Sequence, residues 1–309
     1  MDQVKIFAPA SIGNIGPGFD VLGMAIEGLG DTVEARRINQ KTVRILEITG
    51  DNGQLPRRAS SNTAGIAAAS VLKLLKAPGG IELKLHKGIP GSGLGSSAAS
   101  AVAAGLAVNH LHGAKLSKTD LVVPCAIAES KVSGGFFLDN IGASLMGGVV
   151  ITHPTAKTVF PVGSIPDAII IVVTPDFKLL TRKARKILPQ KVRLAQVITN
   201  LSHACMMVAA VAEQDIRMFG TAICDVLIEP VRAKLIPGFA GVKKAALKNG
   251  ALGCSISGAG ASVFAVTDDR ERAARIGQAM QQAFRHSKLH SMVTSTKMDV
   301  IGARVMEAI

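Results

Sequence analysis

The clearest feature of the chain is a change of hydrophobic period within its first third. Ile81, Leu83 and Leu85 alternate with polar residues, which predicts a strand with one buried face. From Ser96 the run S-S-A-A-S-A-V-A-A-G-L-A-V shows no alternation and predicts a tightly packed, alanine-rich helix. The linking residues 89–95 read I-P-G-S-G-L-G. The sequence therefore predicts a strand, a glycine-rich turn and a helix in direct succession.

Similar patterns predict the other elements of the chain. Strands are predicted at 3–8, 31–38, 42–49, 81–86, 147–152, 168–174 and 262–267. Helices are predicted at 61–76, 96–112, 117–130, 191–213, 215–228, 239–249 and 270–285. Their mixed order, with antiparallel-type neighbours early on, favours an α+β fold over a doubly wound sheet. Three prolines in 153–167 indicate a junction, so we predict two domains, 1–165 and 166–309.

Composition and charge narrow the class of protein. The 309 residues are 48% hydrophobic but include no Tyr or Trp, so an aliphatic core of one or two domains is expected. The net charge of +13 is concentrated in stretches such as Lys178–Arg193 and Lys243–Lys248. A basic protein binds nucleic acid or small anions, but this chain lacks the aromatic platforms typical of nucleic-acid readers. A phosphate ligand is therefore favoured over nucleic acid, with a solvated basic face as the simplest alternative.

Cysteine spacing and hydropathy predict the compartment. Cys125, Cys205, Cys224 and Cys254 are widely separated and form no C-x-x-C pair, as expected for reduced thiols. The N-terminal V-K-I-F-A-P-A predicts a strand from the first residues, so we expect no signal or transit peptide. We expect that no apolar run approaches the roughly 18 residues of a membrane span. A cytoplasmic protein without a membrane partner is predicted.

The glycine-rich turn has the composition of a phosphate site. Gly91, Gly93 and Gly95 let the backbone approach a ligand, and the following helix offers free N–H groups and its positive dipole end. Ser96 and Ser97 add hydroxyls for phosphate oxygens or Mg²⁺. The turn lacks G-x-x-x-x-G-K-[ST], and its spacing does not fit a dinucleotide fingerprint. Nucleotide chemistry is the leading hypothesis, against a simple turn before a buried helix.

Two further segments carry polar side chains in glycine-rich surroundings. Residues 8–23 read A-P-A-S-I-G-N-I-G-P-G-F-D-V-L-G, in which Asn14 and Asp20 alone indicate only a turn and a helix cap. Glu129 ends a predicted helix, and Asp139 with the asparagine after it opens an apolar stretch. A carboxylate there can hold Mg²⁺ beside phosphate oxygens or simply face solvent.

Two segments in the second half supply arginines and another glycine-rich turn. Thr181, Arg182 and Arg185 lie close together, and Arg232 follows in E-P-V-R-A-K-L-I-P-G. Arginine forks bind a carboxylate or phosphate through two hydrogen bonds, although most such arginines are surface charges. Residues 253–263 read G-C-S-I-S-G-A-G-A-S-V and lead into a strand.

Together these motifs resemble those of the GHMP small-molecule kinases, and most closely the members that phosphorylate the amino acid homoserine. The resemblance rests on P-A-S-I-G-N-I-G-P-G-F-D, P-G-S-G-L-G-S-S-A-A and S-I-S-G-A-G, in that order, and spans nearly the whole chain. It implies an ATP-binding, ribosomal S5-like N-terminal domain and a ferredoxin-like C-terminal domain, with ATP and acceptor meeting in the cleft between them. A homodimer is also implied.

The resemblance also implies roles for individual residues. Ser97 and Glu129 would hold Mg²⁺, Thr181 and Asn140 would lie near the reacting hydroxyl, and Asn62 would contact the nucleotide. The implied phosphate loop comprises Pro90, Gly91, Ser92, Gly93, Leu94, Gly95, Ser96, Ser97, Ala98 and Ala99. The implied acceptor-binding residues are Asn14, Asp20, Asp139, Arg185 and Arg232. Carboxylates opposite arginines are the expected complement of an amino acid that carries an ammonium and a carboxylate.

Phe137 leaves the identity of the acceptor undecided. Homoserine kinases usually carry histidine in a His-x-Asp-Asn motif, whereas this chain reads Phe137-Leu138-Asp139-Asn140. Phenylalanine cannot hydrogen-bond a polar acceptor. The leading hypothesis is ATP-dependent phosphorylation of the homoserine side-chain hydroxyl. The alternatives are a GHMP kinase for a less polar acceptor, a non-catalytic nucleotide-binding protein of this fold, and a nucleic-acid binder.

Overall fold

Strands and helices are interspersed along the whole chain. The computed structural model describes residues 2–308, with side chains at all of these positions except 132 and 133. The strands are β1 (Gln3–Gly13), β2 (Leu22–Ile38), β3 (Val43–Thr49), β4 (Gly80–Lys87), β5 (Val149–His153), β6 (Thr158–Gly163), β7 (Ile169–Pro175), β8 (Gly253–Ile256), β9 (Val263–Thr267), β10 (Ser291–Thr296) and β11 (Arg304–Ala308). The helices are α1 (Thr63–Leu74), α2 (Ser96–Leu111), α3 (Lys118–Ser133), α4 (Asp139–Met146), α5 (Thr181–Lys186), α6 (Leu194–Ala212), α7 (Ile216–Ala222), α8 (Glu229–Arg232), α9 (Phe239–Lys248) and α10 (Arg270–His286).

The first sheet contains the strands of the N-terminal half. Its strands run in the order β11-β1-β2-β4-β3, and β5 and β6 extend it from β2. These pairs are antiparallel apart from β3 with β4. Helix α2 packs on β1 and β2 and is covered in turn by α1 and α3. Because α2 is buried on nearly every side, its sequence shows no amphipathic period.

The second sheet has the ferredoxin-like arrangement. It is antiparallel, in the order β10-β7-β9-β8, and α10 lies between β9 and β10 in the chain. Helices α9 and α10 pack together beside it, and Phe239, Ile276 and Phe284 are buried in the core between them and the strands. The predicted α+β fold is confirmed, and the β-α-β-β-α-β order is that of ferredoxin-like domains.

The predicted division at residue 165 stays a prediction. Strand β6 lies inside the proposed junction 153–167 and pairs with β5, while the second sheet begins with β7. The end of the chain returns to the first sheet, because β11 pairs with β1. Residues 304–308 therefore belong structurally with the N-terminal half.

The predicted helix 215–228 is wrong in its second half. Helix α7 ends at Ala222, and a new short helix, α8, begins at Glu229. The Asp225 side chain explains the break, since its carboxylate accepts the backbone N–H groups of Leu227, Ile228 and Glu229 at 2.7–2.9 Å. These bonds hold the turn that leads into α8 and satisfy the free N–H of its first residue, Glu229. They also direct Arg232, at the end of α8, towards the interior.

The expectation of no membrane-length apolar segment is wrong for one helix. By length and composition, helix α6 is long and apolar enough to cross a membrane. Only 22% of its 18-residue apolar segment is buried in the protein. Asn200, Ser202 and His203 interrupt the apolar residues of α6. The segment therefore contains no long uninterrupted apolar run, although its average composition is apolar. Length and composition alone are weak evidence of a membrane span. In the structure, the apolar side chains of Leu194, Ile198 and Leu201 on α6 are exposed at the protein surface.

Candidate active site

A cleft of about 210 Å³ brings together most of the predicted site residues. It lies where the turn after β1, the loop before α2, and the ends of α3 and α4 meet α5, α8 and the turn after β8. The predicted residues that line it are Asn14, Asp20, Gly91, Ser92, Gly93, Leu94, Gly95, Ser96, Ser97, Ala98, Glu129, Asp139, Asn140, Thr181, Arg185 and Arg232. Residues far apart in sequence thus form one site.

Three predicted residues do not line this cleft. Asn62 caps α1, where its side-chain oxygen accepts the N–H of Ala64 and its amide donates to the Pro56 carbonyl, both at 3.0 Å. Ala99 is fully buried in α2, and Pro90 precedes the lining residues. The predicted contact of Asn62 with a nucleotide stays a prediction, and both ends of its amide already have partners.

The loop before α2 adopts a conformation that requires glycine. Gly93 has φ +94° and Gly95 has φ +67°, in the left-handed region that other residues rarely adopt. A Cβ atom would lie 2.6 Å from the Ser257 carbonyl oxygen at the first position and 2.1 Å from the Ser11 hydroxyl at the second. The spacing of the glycines is therefore set both by the backbone and by close neighbours.

The second glycine-rich turn holds this loop through its carbonyl groups. The N–H and hydroxyl of Ser262 donate to the Ser92 carbonyl at 3.1 and 2.7 Å. The Ser257 hydroxyl donates to the Gly93 carbonyl at 2.6 Å. In the described part of the chain, the N–H groups of residues 92–96 donate no hydrogen bond. The loop thus keeps its donors available for an anion.

A buried ion pair joins the two ends of the loop before α2. It was not predicted from the sequence. Asp31 and Lys87 are paired directly opposite each other on β2 and β4 and form a salt bridge. The Asp31 carboxylate accepts the N–H of Gly88 at 3.2 Å and the hydroxyl of Ser96 at 3.1 Å. Lys87 donates to the Ser96 carbonyl at 3.0 Å and the Ser100 hydroxyl at 2.6 Å. One ion pair therefore ties the first and last residues of the loop together.

The other end of the cleft contains paired charges. Arg185 donates two hydrogen bonds to the Asp20 carboxylate, at 2.9 and 2.5 Å. The Arg185 guanidinium carbon lies over the Phe137 ring, 3.5 Å from the ring centroid. Arg232 is buried and donates to the Gly258 carbonyl at 2.9 Å. The Nε atoms of both arginines are buried and have no hydrogen-bond partner among the described residues, so each arginine retains a donor.

Burial shifts the pKa values of two of these groups. Burial and the neighbouring Asp20 carboxylate raise the pKa of Asp139 to about 6. Burial and the nearby Arg185 lower the pKa of Arg232 to about 10. The site brings the acidic side chains of Asp20 and Asp139 together with the guanidinium groups of Arg185 and Arg232, a set that complements a small molecule with one positive and one negative group.

The residues around Ser97 fit a magnesium ion that is completed by phosphate oxygens. The Ser97 hydroxyl is buried and makes no hydrogen bond within residues 2–308, and Glu129 lines the same cleft. A hydroxyl and a carboxylate are oxygen ligands of the kind that Mg²⁺ prefers. No group of three or more His, Cys, Asp or Glu side chains in the described chain forms a metal site by itself. The remaining ligands would come from phosphate and water.

Comparison with known proteins places the chain in a family. The family model described as GHMP kinases N terminal domain matches residues 62–148, and GHMP kinases C terminal matches 207–286. A homoserine kinase of Arabidopsis thaliana is 44% identical, covering 99% of this chain and 85% of that protein. One of Xanthomonas campestris is 40% identical, covering 98% and 94%. The chain belongs to the homoserine kinase family of GHMP kinases.

Solved structures agree with this membership. A homoserine kinase from Cytophaga hutchinsonii is 40% identical and superposes with a TM-score of 0.94 over 99% of this chain and 98% of that one. A mevalonate kinase of L. major has a TM-score of 0.73 at 15% identity over 96% and 95%, which shows the fold alone. As a GHMP kinase, the chain is an ATP-dependent small-molecule kinase.

The ion pair under the loop leads to a prediction. Lys87→Met leaves the Asp31 carboxylate buried without a counter-charge and should lower the free energy of unfolding by about 3–5 kcal/mol. The KM for ATP should also rise because the loop stem loosens. Lys84→Met, at an exposed position of the same strand, should change stability by about 0.5 kcal/mol or less. Urea denaturation and ATP titration measure the two effects, and equal results for both variants would contradict the role of the ion pair.

Proposed function

We propose that this kinase transfers the γ-phosphoryl group of ATP to the side-chain hydroxyl of L-homoserine, giving O-phospho-L-homoserine and ADP. This reaction is a step of threonine biosynthesis. The observation that carries the proposal is the set of Asp20, Asp139, Arg185 and Arg232 at one end of a cleft whose other end is a phosphate loop. The printed names of relatives up to 44% identical support the same acceptor.

The acceptor would bind by replacing one ion pair with two. Without a ligand, Asp20 and Arg185 bind each other through two hydrogen bonds. The ammonium of homoserine would bind Asp20 and Asp139, and its carboxylate would bind Arg185 and Arg232. Each charge would keep a partner throughout, which limits the free-energy cost of removing it from water. Asn14 supports this end of the site, because its side-chain oxygen accepts the Asp20 N–H at 3.0 Å.

Phe137 would act on Arg185 instead of on the acceptor directly. Its ring lies against the guanidinium, a contact that attracts a cation to an aromatic face and excludes water from one side of it. Because Phe137 also lines the cleft, a direct contact of its ring with the acceptor would favour a second candidate, a GHMP kinase whose acceptor is less polar than homoserine. Both candidates use the same phosphate loop and differ in what Arg185 and its neighbours bind.

Transfer of the phosphoryl group depends mainly on positioning and charge neutralisation. The free N–H groups of residues 92–96 would bind phosphate oxygens, and Ser97 and Glu129 would hold Mg²⁺, which neutralises phosphate charge when bound. Thr181 and Asn140 would lie near the acceptor hydroxyl. Asn140 is already held in place, since its side-chain oxygen accepts the Ser11 hydroxyl at 2.9 Å. We assign Asp139 to the ammonium and not to the role of general base.

We also propose a cytoplasmic location and a homodimer. In the described chain Cys125, Cys205, Cys224 and Cys254 are all free, which fits a reducing compartment.

An ADP-release assay with Mg-ATP tests the acceptor. The panel is homoserine, mevalonate, galactose and shikimate, and we expect kcat/KM for homoserine to exceed the others by about 100-fold or more. Turnover of a different acceptor would support the second candidate. Tight ATP binding with no turnover of any acceptor would overturn both.

Substitution of Ser97 tests the magnesium site. Ser97→Ala should lower kcat by about 100-fold or more, because a ligand of the ion is lost, while the melting temperature changes little. It should also raise the Mg²⁺ concentration needed for ADP binding, measured by calorimetry. Ser130→Ala, whose hydroxyl bonds the Ile127 carbonyl within α3, serves as the control. Unchanged metal dependence in Ser97→Ala would remove Ser97 from the site.

The pKa of Asp139 predicts a pH dependence. As the pH falls through about 6, Asp139 gains a proton and loses its attraction for the ammonium. We expect kcat/KM for homoserine to be flat above this value and to fall about tenfold per pH unit below it. Rate measurements from pH 5 to 8 check this. Asp139→Asn should have a low kcat/KM throughout and show no such fall, so a persisting inflection would implicate another group.

A further inference from the structure

The Phe19 ring contacts both arginines at the acceptor end of the cleft. The guanidinium carbon of Arg185 lies 5.2 Å from the centroid of this ring, and that of Arg232 lies 5.0 Å from it. Both distances are within the range of about 6 Å at which the face of a ring attracts a cation. Since Arg185 also lies over the Phe137 ring, two rings and two guanidinium groups form one aromatic–arginine cluster.

The two arginines are like charges that share a single bound counter-charge. Asp20 forms an ion pair with Arg185, whereas no ion pair within residues 2–308 involves Arg232. Burial and the nearby charge of Arg185 lower the pKa of Arg232 to about 10. Attraction to the Phe19 ring offsets part of this cost, and an anion bound to both arginines would offset more.

The ring contacts leave hydrogen-bond donors of both arginines free. An aromatic ring covers the face of a guanidinium group, while the N–H groups in its plane remain able to bind a carboxylate. Arg232 gives one hydrogen bond to the Gly258 carbonyl, and the Nε atoms of both arginines lack a partner in the described chain. When an acceptor carboxylate replaces Asp20 on Arg185, the hydrogen bonds to Asp20 are exchanged but the contact with Phe19 is kept.

The turn that carries Phe19 is fixed relative to Arg232. Asn14 and Asp20 have φ values of 68° and 58°, and the Asn14 side-chain oxygen accepts the Asp20 N–H at 3.0 Å. The Asn14 amide donates to the Gly258 carbonyl at 2.8 Å, and the same oxygen accepts the hydrogen bond of Arg232. One carbonyl therefore anchors both the turn and the arginine, which keeps the ring in place while ligands exchange.

We propose that Phe19 determines specificity by holding Arg185 and Arg232 so that both bind one acceptor carboxylate. It acts through the arginines and is therefore a positioning residue. The inference rests on the proposed function and deepens it, because it predicts that acceptors with a carboxylate are favoured over those without one. If the ring only filled space beside α8, its volume would matter and its π electrons would not.

Fluorination of the ring separates these two roles. Fluorine withdraws electron density from the ring face and changes its size little, so Phe19 is replaced site-specifically by phenylalanines with one, two and three ring fluorines. We expect the KM for homoserine to rise stepwise, by about tenfold with three fluorines. The kcat should stay within about twofold, because the contact is the same in the ground and transition states, and the KM for ATP should not change.

The matched control is Phe7, whose ring lies 4.7 Å from the guanidinium carbon of Arg304 and does not line the cleft. The same fluorinated residues at this position should leave the KM for homoserine unchanged. A KM that stays constant through the Phe19 series would overturn the proposal while the proposed function stands. No turnover of homoserine by the unmodified protein would overturn both.

Removal of the ring tests the acceptor group that it serves. Phe19→Leu should lower kcat/KM for homoserine by about tenfold. The affinity for aminopropanol, which is homoserine without its carboxylate, is measured by competition with homoserine and should change by less than about twofold. Phe19→Tyr keeps the ring and should retain most of the activity, and melting curves check that each variant folds. Equal losses for both compounds would show a general structural role and overturn the proposal.

Discussion

The contact between two glycine-rich segments organises the whole site. The turn after β8 belongs to the second sheet, and its Ser257 and Ser262 bind the carbonyl groups of Ser92 and Gly93 from the loop before α2. This contact joins the two halves of the chain at the cleft and leaves the loop N–H groups unused. The same turn receives Arg232 through the Gly258 carbonyl. The proposed phosphate and acceptor sites are therefore linked by one short segment.

Charge pairing explains how the site remains stable without ligands. The phosphate loop is supported from below by the Asp31–Lys87 ion pair, and the acceptor end contains the Asp20–Arg185 pair. The Asp31–Lys87 pair is almost completely buried and holds the two ends of the loop together. The second is about one quarter exposed and shares its guanidinium with the Phe137 ring. In the proposed binding mode, a charged acceptor exchanges with the second pair, while the first pair holds the loop in its conformation.

Local sequence patterns predicted the fold well where burial followed a simple period. Strand–loop–helix order around residue 90, the α+β class and helices α9 and α10 were correct. Predictions failed where side-chain contacts override the pattern, as at Asp225, whose hydrogen bonds divide the helix predicted over 215–228. The helix predicted over 191–213 is present as α6. The expectation that the chain has no membrane-length apolar segment was wrong for this helix, because its apolar residues are interrupted in sequence by polar ones.

The sequence by itself determined the family and the chemical types in the site, because glycine spacing, serine hydroxyls and paired carboxylates and arginines are local or motif properties. Only the tertiary structure decided which of them meet. It showed that Asp20 binds Arg185 and that Phe137 contacts a guanidinium, whereas Asn62 is occupied in capping α1. It also revealed the Asp31–Lys87 pair, since residues 56 positions apart become neighbours only through strand register. Such contacts depend on long-range packing, which no local pattern encodes.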